Sequence, residues 1–217
     1  MCGRYTLYHD EEDLTSLFEL DAFPLVRRYN VAPTQVAPVV HAVGGTRERI
    51  DARWGLLPHW VKDPGTFKTL LFNARAETAA EKPSFRDAMK RSRCAVPASG
   101  FYEWAKRDGS KQPHHIVRRD GAPMILAGLY SLHREAGPTF TILTTSPNAR
   151  VSELHDRMPV ILPPEDLARW LDPEITDPTT LEELLRPVAS DVIDVYPVGK
   201  AVGNARVDGP ELVEPLR

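Results

Sequence analysis

The stretch Val39-Val40-His41-Ala42-Val43-Gly44-Gly45-Thr46-Arg47-Glu48-Arg49-Ile50-Asp51-Ala52-Arg53-Trp54 reads as a β-hairpin. Val39 to Val43 is rich in β-branched residues and stops at Gly44-Gly45, a pair that reaches the positive φ angles of a tight turn without steric cost. On the return, Ile50, Ala52 and Trp54 alternate with charged residues, the period of a strand with one buried face. Strand-like runs recur at His115 to Val117, Met124 to Tyr130, Phe140 to Thr144 and Val192 to Val198. Cys94-Ala95-Val96-Pro97 and Gly100-Phe101-Tyr102-Glu103-Trp104 read as a strand pair or as one bent strand.

Short helices are predicted between these runs. One follows Asp10-Glu11-Glu12-Asp13, where Leu14, Leu17 and Phe18 recur at helical spacing and acidic residues complement the helix dipole. Others fit Pro83 to Arg91, Asn148 to Leu154, Glu165 to Leu171 and Thr179 to Leu185. Arg28 to Gln35 and Leu56 to Thr66 read as irregular loops. Short strands with helices interspersed, and no repeat or linker, predict an α+β fold. It is expected to be a single domain over residues 1–217, with a curved antiparallel sheet or barrel-like core flanked by short helices.

Composition narrows the function. The chain has 217 residues, enough for a sizeable core, and its 20 prolines favour many short connections over long helices. A formal net charge of -3 gives no bulk case for nucleic-acid binding, so any such partner needs a local basic groove. Cys2 and Cys94 form no C-x-x-C motif, which fits a reducing, cytoplasmic compartment. The histidines lack zinc-type spacing, and His114-His115 is adjacent rather than i, i+4, so no metal is expected. Neither an apolar signal region nor an apolar run of about 18 residues is present, so no membrane association is expected. Nucleotide-binding glycine motifs, H-E-x-x-H and G-x-S-x-G are absent, and no cofactor is implied.

Four residues could carry chemistry. Cys2 follows the initiator, and removal of Met1 would leave an α-amine and a thiol on adjacent carbons. Such a 1,2-aminothiol condenses with an aldehyde to a Schiff base and then closes to a thiazolidine. An α-amine titrates at about 7.7–8.0 and a thiol at about 8.5, so both nucleophiles are accessible near neutral pH. Glu103 lies between Phe101-Tyr102 and Trp104, where desolvation would raise its pKa toward neutrality; an outward-facing or arginine-paired glutamate fits equally. Asn73 could orient a substrate oxygen or form a turn, and His155 could be a general acid or a surface histidine. Arg4, Arg75 and Arg157 stand near these candidates and suit phosphates or surface ion pairs. Trp54 and Trp60 could stack on bases, although packing in the core fits Trp54 as well.

Taken together these blocks resemble the SOS-response-associated peptidase (SRAP) family. The match runs through Met1-Cys2-Gly3-Arg4-Tyr5, Arg28-Tyr29-Asn30-Val31-Ala32-Pro33-Thr34, Arg53-Trp54-Gly55-Leu56-Leu57-Pro58 and Asn73-Ala74-Arg75-Ala76-Glu77-Thr78. It continues through Arg93-Cys94-Ala95-Val96-Pro97, Gly100-Phe101-Tyr102-Glu103-Trp104, Ala127-Gly128-Leu129-Tyr130, Thr144-Thr145-Ser146-Pro147-Asn148 and His155-Asp156-Arg157-Met158-Pro159. Tyr130 stands where a tryptophan is expected.

The resemblance implies a sensor of abasic sites in single-stranded DNA that crosslinks to the lesion through Cys2. By position, Asn73 would hold the adduct, Glu103 would move protons, and His155 would help open the sugar. Arg4, Arg75 and Arg157 would hold flanking phosphates. A monomer is expected, nucleoid-associated when bound to DNA. Two other readings are a thiol peptidase with Cys2 as nucleophile and His155 as base, and a non-covalent reader of modified bases.

Overall fold

The computed structural model describes residues 2–107 and 110–216. Met1, whose removal is expected, lies outside the described residues. In chain order the elements begin β1 (Tyr5–Leu7), α1 (Glu11–Phe18), β2 (Arg28–Val31), β3 (Val36–Val43), β4 (Thr46–Trp54) and β5 (Asn73–Arg75). They continue α2 (Ala76–Ala79), α3 (Arg86–Arg91), β6 (Arg93–Ala98), β7 (Gly100–Arg107), β8 (Ser110–Arg118), β9 (Met124–His133) and β10 (Gly137–Thr145). The chain then forms α4 (Ala149–Ser152), β11 (Met158–Pro159), β12 (Ile161–Leu162), α5 (Leu167–Leu171) and β13 (Ile193–Pro197). Short 3-10 turns make up much of the remainder, including Pro178–Leu185, which the sequence reads as an ordinary helix.

The hairpin forms as its residues dictate. Val43 pairs with Thr46 across a two-residue turn in which Gly44 and Gly45 take φ of 56° and 83°, a conformation costly for any residue with a Cβ. Ala52 and Trp54 point inward and are buried. Around this hairpin a five-stranded barrel closes in the order β10–β4–β3–β6–β9 and back to β10. The closure is not antiparallel throughout: β4 meets β10 in parallel, with Thr139 opposite Arg53 and Phe140 opposite Trp54. Parallel pairing demands a long crossover, which local alternation cannot reveal.

At one end the barrel wall parts. β5 takes the place of β4 beside β10, also in parallel, with Ile142 opposite Asn73 and Thr144 opposite Arg75. On the other flank β11 pairs with β10 and β12 with β9, and Val160 between them bridges both through Ala127 and Leu143. This parted end brings Asn73 and the His155–Arg157 segment to the same strand.

A second sheet, in the order β13–β8–β7–β1–β2, packs on the barrel. β6 and β7 do not pair with each other. They are one bent path that leaves the barrel at Ser99 and enters the second sheet, so of the two sequence readings the bent strand is the one observed. The Ser99 hydroxyl holds the bend by accepting from the Tyr8 amide at 2.7 Å and the His9 amide at 3.1 Å. Arg28–Val31, read from sequence as a loop, is the edge strand β2 on β1. At four residues its alternation is too short to stand out, and its polar residues pair with the distant segment 202–208, which no local window contains.

One apolar core joins the two sheets and the helices, with α1 contributing Leu14 and Phe18. Among the described residues no helix is long and apolar enough to cross a membrane.

Candidate active site

Cys2 enters β1 from the parted end of the barrel. The antiparallel register of β1 on β7 sets Tyr5 opposite Phe101, and the Tyr102 amide donates to the Arg4 carbonyl at 3.0 Å. Continued by one residue, that register lays Gly3 alongside Glu103. Asn73 reaches the same end from β5 and donates through Nδ2 to the Cys2 carbonyl at 2.8 Å. Three separate elements thus converge on the first turn of chain, and none of them is adjacent in sequence.

Burial sets the chemistry of this cluster. Cys2 has no exposed surface, and its thiol is pushed well up by that burial and secondly by the charge of Glu103. The sulfur lies 3.8 Å from the Arg4 carbonyl, which partly offsets the rise. The thiol is therefore held protonated and needs a base to become a nucleophile. Glu103 is 2% exposed, and its pKa is raised to about 7, first by burial and further by the nearby Asp156 carboxylate. A carboxyl group poised there can both take and return a proton near neutral pH. Asn73 Oδ1 is buried and accepts no hydrogen bond from the described residues, which leaves one acceptor available beside Cys2.

His155 follows α4. Its Nδ1 lies 3.0 Å from the Arg157 amide and 2.8 Å from an Asp156 carboxylate oxygen. The amide donates to a bare nitrogen there, whereas the carboxylate accepts from a protonated one. The influence of Asp156 on Glu103 ties this segment to the cysteine pocket electrostatically.

The arginines behave differently from one another. Arg157 forms a bidentate pair with Glu77, both contacts at 2.7 Å, and also bonds the Thr144 carbonyl. Arg75 is exposed on β5 and forms no ion pair with described residues. Arg4 donates to Asn30 Oδ1 at 2.9 Å, the Val202 carbonyl at 2.6 Å and the Gly203 carbonyl at 3.2 Å. Of the two tryptophans, Trp60 is half exposed, with its Nε1 on the Pro83 carbonyl. Trp54 has no exposed surface; it stacks on Phe140 and donates to the Phe72 carbonyl at 2.7 Å. Its burial in the barrel withdraws it from the residues that could stack on a base.

A family model described as SOS response associated peptidase (SRAP) matches residues 1–205. This chain is a member of the SRAP family. Among its relatives is the abasic site processing protein YoqW of Bacillus subtilis (strain 168), 40% identical over 223 residues covering 99% of each chain. The abasic site processing protein YedK of Escherichia coli (strain K12) is 32% identical and covers 100% of each. A solved structure of a protein from Bacteroides thetaiotaomicron superposes with a TM-score of 0.87 at 26% identity, covering 100% of both chains.

Sequence reasoning missed several residues of the SRAP pocket. Asp156 and Glu77 lie inside blocks quoted for the resemblance, yet nothing local marks them as partners of Glu103 and Arg157. Asn30 lies in another such block, and its full burial was invisible because the surrounding stretch looks like a loop. An asparagine between an aromatic and a β-branched residue is the one local signal available there.

Proposed function

We propose that this protein processes abasic sites in single-stranded DNA by forming a thiazolidine crosslink through Cys2 after loss of Met1. The observation that carries this reading is the meeting of a buried Cys2 with Asn73 on its carbonyl and with Glu103 poised at about 7. The α-amine of Cys2 attacks the C1′ aldehyde of the ring-opened sugar, and loss of water gives the Schiff base. The sulfur then adds to the same carbon. Its proton passes to the Glu103 carboxylate, and the former imine nitrogen gains one, so the sum is aminothiol plus aldehyde to thiazolidine plus water.

Each residue has a place in that sequence. Glu103 as carboxylate deprotonates a thiol that burial keeps neutral, and as carboxylic acid it assists the departure of water. His155, beside Asp156, supplies the proton that opens the sugar ring. Asn73 fixes the Cys2 carbonyl, and its open Oδ1 offers an acceptor to the adduct. Ring closure diverts the Schiff base from β-elimination, the lyase outcome that would cut the strand. An abasic nucleotide has no base to unstack, so a tight pocket admits its sugar at small cost. Arg75 and Arg4, which have no carboxylate partner among the described residues, supply the local positive charge that the net composition lacks; Arg157 would reach a phosphate only by exchanging Glu77 for it, and Trp60 offers a half-exposed face to a neighbouring base.

The test is incubation with a single-stranded oligodeoxynucleotide that carries one abasic site. A heat-stable adduct is expected, with the mass of the Met1-free protein plus the oligonucleotide minus one water. An adduct formed as durably by Cys2→Ser would rule the thiazolidine out.

A further inference from the structure

Arg4 poses an electrostatic question that Asn30 answers. Among the described residues its guanidinium has no carboxylate partner, and its partial burial lowers its pKa. Three neutral oxygens hold it: the amide of Asn30 and the carbonyls of Val202 and Gly203. Neutral acceptors orient a guanidinium without cancelling its charge. Its Nε donates to no described residue.

Asn30 itself has no exposed surface. While Oδ1 accepts from Arg4, Nδ2 donates to the carbonyls of Val207 at 2.8 Å, Asn204 at 3.1 Å and Val202 at 3.3 Å. One side chain thereby ties Arg4, just before β1, to β2 and the segment 202–207. Only an amide serves here. An aspartate would neutralise Arg4 and set its own charge against three carbonyls, and an alanine would leave those carbonyls and the guanidinium without their shared partner. Nearby, Arg28 and the Tyr29 amide both bond Asp208, so the ion pair that anchors this segment is kept apart from Arg4.

We propose that Asn30 is a positioning residue of the candidate site. It clamps Arg4 against the segment 202–207 so that an uncompensated, fixed guanidinium faces the phosphate beside the abasic sugar held at Cys2. This rests on the functional reading above and adds to it a residue that never touches DNA. A fixed cation loses little side-chain entropy on binding, whereas a loose one must be ordered by the ligand.

The experiment measures reversible binding of a single-stranded oligodeoxynucleotide carrying a tetrahydrofuran abasic analogue, which has no aldehyde and cannot crosslink. The dissociation constant is followed against salt for wild type, Arg4→Ala, Asn30→Ala and the double variant, with thermal unfolding in parallel. Arg4→Ala is expected to weaken binding and shorten the log–log salt slope by about 0.7, one single-strand phosphate contact. Asn30→Ala should weaken binding and shorten the slope in the same direction, yet add nothing in the Arg4→Ala background.

A wild-type slope in Asn30→Ala, or an equal loss in both backgrounds, would overturn the proposal. Should Asn30→Ala fail to fold, Arg4→Lys decides. It keeps the charge but cannot reach all three acceptors, so weaker binding is expected and wild-type affinity would refute the clamp. A wild-type protein that forms no adduct with an aldehyde-bearing strand would instead bring down the functional reading, and this proposal with it.

Discussion

The two cysteines are equally buried and chemically opposite. Cys94 sits mid-strand in β6, opposite Gly128 of β9, where the strands approach so closely that a Cβ on Gly128 would lie 2.9 Å from the sulfur. Burial pushes its thiol up, and no other influence is resolved. Cys2 is just as inaccessible, but Glu103 acts on it and Asn73 grips its carbonyl. The difference teaches that desolvation silences a thiol, while a neighbouring proton acceptor in the same dry space gives it a route to react. Cys94 packs against a strand wall; Cys2 is buried beside the polar side chains of Asn73 and Glu103.

The sharpest way to break the comparison is to exchange the sulfurs. Cys2→Ser should abolish the heat-stable adduct, while Cys94→Ala should leave its yield unchanged on the same gel. Next in size is Glu103→Gln, for which single-turnover crosslinking should slow by about 10²–10⁴-fold, the usual contribution of a positioned acid–base group. The wild-type rate of ring closure should fall as pH drops through about 7 and the carboxylate is protonated, and this inflection should vanish in the variant.

Stability should move the other way. A carboxyl whose pKa is raised on folding contributes fully below its unfolded value and loses that contribution as pH rises toward about 7. Glu103→Gln should therefore gain on wild type in thermal unfolding between about pH 4.3 and 7, by at most about 4 kcal/mol.

Smaller effects sharpen the contrast. Asn73→Ala removes one partly buried bond to the Cys2 carbonyl and should slow crosslinking about tenfold, the equivalent of roughly 1.4 kcal/mol. Gly128→Ala forces a methyl against Cys94, Val96 and the Thr141 carbonyl and should cost about 1–3 kcal/mol in denaturant unfolding. Its crosslinking, measured below the unfolding transition, should match wild type.

What could be read from the sequence divides along the same line. Residues whose neighbours are local were legible: the Gly44-Gly45 turn, the alternation of Ala52 and Trp54, and the Leu14/Phe18 face of α1. The parallel seam of β10 with β4 and β5, the strand character of Arg28–Val31 and the clamp at Asn30 were not. Each depends on partners far along the chain, which no window of pattern contains. For the site, the aromatic setting of Glu103 left a raised pKa open beside an outward-facing or arginine-paired reading, and burial with the distant Asp156 carboxylate is what raises it. Trp54 misled, because an indole built for a barrel interior looks the same in sequence as one displayed to a ligand.

Arg4 bonds the carbonyl of Val202, a partner 198 positions away. Closing so wide a loop is entropically expensive, so this contact forms only once the barrel and second sheet have already drawn the ends together. During synthesis Cys2 emerges long before the segment 202–207 that holds Arg4. A growing polypeptide would thus display Cys2 long before a fixed Arg4 cation could seat a phosphate beside it.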